Sequence, residues 1–306
     1  MKRVLSFSVR SVGMRPHPTK RAPAGEDAFL LKPSTLGVAD GVGGWRKLGV
    51  DSGVYSRGFM WHLSDIIDDH QLWEPGEAWD PVALLIDGAR HMKALSVPGS
   101  MTAAVCSLSV ETLRVAWVGD CQCIVMRNGR CVFESTPTMH SLMRPCQLGN
   151  TSATDAKDAK VVTVQVEPGD VVLAGSDGLF DNLSVPFIVH HVHSSLEKRP
   201  ANQQAHLDAI CDRLAHEAQC AARGEPELTK GGGMTPFRDR MLSQGFNIAE
   251  AGKLDDTTVV IGIVAADCRD NHQQMLDRGD RVPDSAAATM PPSCLPWYLH
   301  ELKKSV

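Results

Sequence analysis

The stretch that decides the fold is residues 101–134, MTAAVCSLSVETLRVAWVGDCQCIVMRNGRCVFE. It divides into strand-length apolar runs at 101–109, 112–118, 122–127 and 130–134, broken by Gly119-Asp120 and Asn128-Gly129. The Asn-Gly pair between Met126-Arg127 and Arg130-Cys131 is a strong two-residue hairpin signal. So many short strands in succession predict an antiparallel sheet and not a doubly wound one.

Upstream, a strand is expected at 3–11 and a Pro-, Gly- and Lys-rich loop at 12–25. The apolar runs 28–31 and 35–39 flank Lys32-Pro33-Ser34, as a hairpin would. The second run feeds into Asp40-Gly41-Val42-Gly43-Gly44, placing Asp40 at the end of a buried strand where glycines let the backbone come close. Helical spacing follows at 53–69 and 79–95, divided by Pro75-Gly76. Downstream, 150–160 lacks any apolar period and reads as loop. Strands resume at 161–166 and 171–175, helices at 184–195, 201–222 and 237–244, and a last strand at 257–264. Two blocks of strands with helices inserted between them predict layers of sheet covered by helix. Residues 266–306, with four prolines and scattered charge, read as a tail with a short helix at 297–304.

Of the 306 residues, 43% are apolar, ample for a large core. A formal charge of −5 argues against a polyanion met through a basic surface, so no nucleic-acid partner is expected. Aromatics at 5% leave little material for stacking bases. None of the nine cysteines forms a zinc-type CxxC pair, and they read as small core residues of a reducing compartment. No apolar run approaches the ~18 residues of a membrane span. The first 25 residues carry six basic side chains and no acid, as a transit peptide does, yet Val4–Val9 also reads as strand. Cytoplasmic and mitochondrial locations both stand; secretion is not expected.

Acidic residues recur where apolar strands end: Glu26-Asp27 before 28–31, Asp40 after 36–39, Asp120 after 115–119, Asp177 after 171–176, and Asp255-Asp256 before 259–263. A carboxylate there loses water and needs a cation or a strong hydrogen-bond set. With little Lys or Arg beside them, a shared divalent ion is favoured. The oxygen donors select Mg²⁺, Mn²⁺ or Ca²⁺ over zinc or copper. The chain has no GxxxxGK[ST] loop, no HExxH helix and no EF-hand loop.

At these residues the chain resembles the metal-dependent protein serine/threonine phosphatases of the PP2C or PPM family. The resemblance rests on Gly25-Glu26-Asp27-Ala28, Ala39-Asp40-Gly41-Val42-Gly43-Gly44 and Val118-Gly119-Asp120. It continues through Gly175-Ser176-Asp177-Gly178-Leu179-Phe180-Asp181-Asn182 and Leu254-Asp255-Asp256-Thr257-Thr258-Val259-Val260, all in the family's order. Within the family it is nearest to the mitochondrial-type branch, on Gly43-Gly44-Trp45, Met143-Arg144-Pro145-Cys146-Gln147-Leu148 and Met234-Thr235-Pro236-Phe237 before Gly252-Lys253.

The resemblance implies an α+β fold: a four-layer α/β/β/α sandwich with two central, mainly antiparallel sheets. It implies a catalytic domain over 1–265 and the metals at one edge of the sandwich. Asp40, Asp177, Asp255 and the Gly41 carbonyl match metal ligands, and Glu26 an acid that contacts metal-bound water. Asp27 and Asp256 match supporting acids, and Asp120 a third metal position. Two Mg²⁺ or Mn²⁺ ions, with a third at Asp120, would activate water to attack phosphoserine or phosphothreonine of a partner protein, and the chain is expected to act as a monomer. Lys20 and Arg21 are the candidate phosphate contacts, with Arg46 as a second choice. Val42 stands where many relatives have histidine, so that role does not carry over, and the proton would come from metal-bound water or from His140.

No Cys-x5-Arg loop surrounds Cys106, Cys121 or Cys123, which removes the thiolate nucleophile. His190 and His193 share a helix face but have no partner ligands nearby. Two rivals to the enzyme remain: a catalytically weak relative that binds phosphoproteins, and a Ca²⁺-binding scaffold.

Overall fold

The computed structural model describes residues 4–18, 25–69, 78–198, 201–225 and 234–266. Its strands form two main sheets. The first runs β1 (Leu5–Arg15), β13 (Thr257–Ala266), β12 (Val171–Gly175), β6 (Gln122–Arg127), β7 (Arg130–Glu134). The second runs β11 (Lys160–Gln165), β5 (Thr112–Val118), β4 (Ser100–Leu108), β3 (Thr35–Gly41), β2 (Asp27–Leu31), with β10 (Leu148–Gly149) also pairing β4. Strands β8 (Met139–Ser141) and β9 (Arg144–Pro145) make a small separate hairpin. Every pairing among the described residues is antiparallel.

Three apolar clusters bind four layers. Phe7, Val38, Cys106, Trp117, Val172 and Val260 pack between the sheets. Outside the second sheet lie α1 (Ser52–Asp69) and α2 (Pro81–Ala94), whose Phe59, Leu63 and Leu85 meet Ala103 and Val105. Outside the first sheet lie α3 (Asp177–Phe180), α4 (Val185–Leu196) and α5 (Gln203–Ala222). A last helix, α6 (Pro236–Ser243), follows. This is the α/β/β/α sandwich. Central strands lie between a helix layer and the opposite sheet, so β4 and β12 are buried along their whole length and lose the alternation of a half-wet strand.

The helices begin where the sequence supplies caps. The Asp80 side chain accepts from Val82 N–H ahead of α2, Ser184 from Phe187 ahead of α4, and Thr235 from Arg238 ahead of α6, each with proline in the first turn. Helix α5 keeps polar residues outward and sends Leu207, Ile210, Cys211, Leu214 and Ala218 inward at helical spacing. The predicted Asn-Gly turn is present, Asn128 and Gly129 having φ of 48° and 72°.

Several elements differ from the sequence reading, among them the short helix α3, strand β10 and the 3-10 turns Gly43–Leu48 and Ala156–Asp158, none of which was expected. Strand β1 runs on to Arg15, because its pairing with β13 continues through Arg15↔Thr257 before Pro16 ends it. The β8–β9 hairpin falls where no alternating pattern announced strands. Cys106, Cys121, Cys123 and Cys211 are buried as core residues, whereas Cys131 is exposed on edge strand β7. Among the described residues no helix is long and apolar enough to cross a membrane. The tail beyond Ala266, with the expected helix at 297–304, lies outside the described residues, as does most of 224–233.

Candidate metal centre

Antiparallel pairing explains why acids distant in sequence meet. Asp27 opens β2 and Asp40 is the penultimate residue of β3, and the two are direct cross-strand partners. Asp120 follows β5, Asp177 follows β12, and Asp255 and Asp256 precede β13. All five strand ends lie at one edge of the sandwich, where a cleft of about 330 Å³ is lined by Asp40, Gly41, Asp120, Asp177, Asp181 and Asp255.

The supporting contacts are specific. Glu26 N–H donates to Asp256 Oδ2 at 3.0 Å and His17 N–H to Asp256 Oδ1 at 2.7 Å, so Asp256 ties the chain before β2 to the start of β13. Ser176 Oγ donates to Asp27 Oδ2 at 2.8 Å and accepts from Thr258 N–H at 2.9 Å, linking the two sheets beneath the cleft. Ser52 Oγ donates to Glu26 Oε1 at 3.2 Å, and Arg46 Nη2 lies 3.2 Å from the same oxygen. Gly41 N–H donates to the Glu26 carbonyl at 3.0 Å. A Cβ on Gly41 would stand 2.8 Å from the carbonyl oxygens of Glu26 and Ser52, so only glycine permits this backbone approach.

Crowded acids resist ionisation. Burial, then neighbouring Asp256, pushes Asp27 up to about 7. Burial, then Asp255 and Asp120, pushes Asp177 up to about 8 even though Lys253 opposes the rise. Asp40 is held well above the carboxylate range by burial and by Asp27, Asp177 and Asp255, and burial raises Asp120. Such a group of carboxyls calls for positive charge.

Part of that charge is already present. The Lys253 ammonium pairs with Asp177, stands 3.3 Å from Asp255 and 3.7 Å from Asp181, and Arg240 Nη2 donates to Asp181 at 2.7 Å. Although burial works against its charge, Asp177, Asp255 and Asp181 hold the Lys253 amine well above its ordinary value. No three His, Cys, Asp or Glu side chains among the described residues stand arranged to grip an ion. The donor chemistry nevertheless fits a hard divalent cation: the carboxylates converge from different strands, and buried Asp177 Oδ1 has no hydrogen-bond partner.

The structure therefore brings Asp40, Gly41, Asp120, Asp177 and Asp255 to one cleft, with Glu26, Asp27 and Asp256 tied in behind. Lys20 and Arg21 lie outside the described residues. His140 is exposed, its Nε2 3.2 Å from Thr154 Oγ1, and it is not among the cleft's lining residues. Lys253, Arg240, Asp181 and His17 also line the cleft; Asp181 and Lys253 stood in the family motifs without an assigned role, and Arg240 and His17 were not marked by the sequence. The signal for Lys253 was its place two residues before Asp255; Arg240 sits on a helix with no local mark of the site.

No protein-family model matches the chain. The probable protein phosphatase 2C 55 of Arabidopsis thaliana is 36% identical over 258 residues, covering 82% of this chain and 50% of that protein. The protein phosphatase PTC7 homolog fig of Drosophila mojavensis is 32% identical over 256 residues, covering 78% of each. Among solved structures, the photosystem II phosphatase PBCP superposes with a TM-score of 0.70 at 28% identity, covering 86% of this chain and 99% of that one. The chain belongs to the PP2C/PPM family. It spans only half the length of the first Arabidopsis relative and 32% of a second, the probable protein phosphatase 2C 62.

Proposed function

We propose that the chain hydrolyses phosphoserine and phosphothreonine in proteins, using two Mg²⁺ or Mn²⁺ ions held by Asp40, Asp177, Asp255 and the Gly41 carbonyl, with Asp120 serving a third position. The observation that carries this reading is the meeting of Asp40, Asp120, Asp177 and Asp255 in one cleft on a fold of this family. Bound there, such ions lower the pKa of water and offset charge on the phosphoryl oxygens. The chain's own contribution is placement. Asp27 is fixed by Ser176 and backs Asp40 across the strand pair, Asp256 fixes the backbone of Glu26, and the Glu26 carboxylate lies beside Arg46 and Ser52.

Phosphate contact is assigned to Lys20 and Arg21 from their position in sequence, and to Arg46 from its place beside Glu26. His140 does not enter this reading, since its ring meets Thr154 at the exposed surface. The catalytic unit is assigned to residues 1–265, which take in all but the last residue of the strands that deliver the acids, Leu5 to Ala266. The 32% identity to the Drosophila PTC7 homolog, with Gly43-Gly44-Trp45, supports the mitochondrial-type branch and, with it, a mitochondrial or cytoplasmic site of action.

The test is phosphate release from a phosphothreonine peptide. Mn²⁺ should sustain it, a chelator should abolish it, and Asp177→Asn should remove it. Release that persists in chelator would overturn the metal role. Binding of the peptide without turnover would favour the phosphoprotein-binding alternative.

A further inference from the structure

We infer that Lys253 is a tethered cation that competes with divalent metal for Asp177 and Asp255. The inference rests on the metal site proposed above and assigns it a built-in competitor.

The position of this side chain is constructed rather than incidental. The Asn182 carboxamide holds the Lys253 backbone from both sides: Nδ2 donates to the Lys253 carbonyl at 2.7 Å, and Oδ1 accepts from Lys253 N–H at 3.0 Å. The same Nδ2 donates to the Gly178 carbonyl at 2.9 Å, so Lys253 is fastened to the short segment that carries Asp177 and Asp181. Preceding Gly252 makes the clamp close enough, since a Cβ there would stand 2.3 Å from Asn182 Oδ1. A fixed backbone with a four-carbon arm delivers the ammonium to Asp177, with Asp255 at 3.3 Å and Asp181 at 3.7 Å. Asp181 already has Arg240 at 2.7 Å, whereas Asp177 and Asp255, two of the proposed metal ligands, share the Lys253 ammonium.

Asp177 Oδ1 is open, but an ion bound there would stand beside the ammonium on Oδ2, and two cations so close repel each other. The metal must displace the amine, and the amine, being covalently attached, stays at high local concentration to return when the metal leaves. Lys253 thus compensates the acids in the metal-free protein and weakens metal affinity in the loaded one, a negative coupling between two cations.

The experiment is calorimetric titration of the full chain with Mn²⁺ alone, comparing wild type, Lys253→Met and Lys253→Arg, with Tm recorded for each metal-free protein. Lys253→Met should bind Mn²⁺ about tenfold more tightly, a usual size for such coupling, and melt at lower temperature without metal. Lys253→Arg should stay near wild type in both. If wild type and Lys253→Met bind equally, or the variant binds more weakly, competition is overturned while the metal site stands. If neither binds Mn²⁺, the proposed metal site falls and the inference with it. A second readout needs no variant: acetylation of the Lys253 amine in wild type, followed by mass spectrometry, should speed up several-fold on adding Mn²⁺, because the freed arm enters the open cleft. An unchanged or slower rate would overturn the inference even if Lys253→Met failed to fold.

Discussion

Ser176→Ala is expected to destabilise the protein by about 3 kcal/mol at pH 8.5, and by less at pH 5.5. One hydroxyl serves two buried partners in different sheets, donating to Asp27 Oδ2 at 2.8 Å and accepting from Thr258 N–H at 2.9 Å. A hydrogen bond to an ionised carboxylate contributes about 1.5–3 kcal/mol, and a buried N–H left unpaired costs about 1–3 kcal/mol. Both losses follow from one atom, so they do not simply add. A shift of about 2–4 °C per kcal/mol, typical of chains this large, puts the Tm drop at roughly 6–12 °C. The pH dependence follows from Asp27, pushed up to about 7 by burial. Above that value the lost bond is to a charged acceptor; below it the acceptor is neutral and the bond worth only about 0.5–1.5 kcal/mol. The contribution of Ser176 is therefore present at high pH and declines as pH falls through about 7. Urea melts in chelator at the two pH values measure it. A cost below about 1 kcal/mol at pH 8.5, or one that grows at pH 5.5, would refute the view that this hydroxyl joins the sheets beneath the site.

Other expectations concern the site and its frame. Asp177→Asn should lower phosphopeptide turnover at least ~100-fold while the far-UV spectrum stays unchanged, each tenfold corresponding to about 1.4 kcal/mol of barrier; near-normal turnover would remove Asp177 from the machinery. The metal-free protein should lose stability as pH rises from about 4 to about 8, since Asp27 and Asp177 have folded pKa values raised to about 7 and about 8 and bind protons that the unfolded chain has released; chelator melts that improve with rising pH would contradict this. Gly41→Ala should cost about 1–3 kcal/mol through contact with two fixed carbonyls, read as a lower urea midpoint. Asp170→Ala should cost about 1.5–3 kcal/mol, because buried Asp170 accepts from Arg127 through both oxygens at 2.7 Å; an unchanged midpoint would show that the pair contributes little.

The sheets were legible because their signals are local. Asn128-Gly129 names its turn in two residues, and the apolar runs around Asp40 and Asp177 mark strands buried on both faces. The ligating acids were legible for a related reason, since each stands where such a run stops. The β8–β9 hairpin was not, because Met139, Leu142 and Met143 follow no period and the two strands are very short. Arg240 and Lys253 were missed on other grounds. Their roles depend on which strand end comes to rest beside which helix, and Arg240 reaches Asp181 across 59 positions of chain. Cys131 resembled its buried neighbours until edge strand β7 exposed it.

Asp40 belongs to one sheet, and Asp177 and Asp255 to the ends of strands in the other. An ion shared among them would act as a rivet through the seam. Anything that pulls the layers apart would then lower metal affinity, and every increment of metal binding would hold the layers together, by about 2.7 kcal/mol at a hundredfold excess over Kd. Because the ligands come from chain segments that meet only when the last strand, β13, has entered between β1 and β12, an incompletely folded chain has no site to load. Metal uptake during refolding would therefore report completion of the sandwich, arriving after collapse and after the local hairpins have formed.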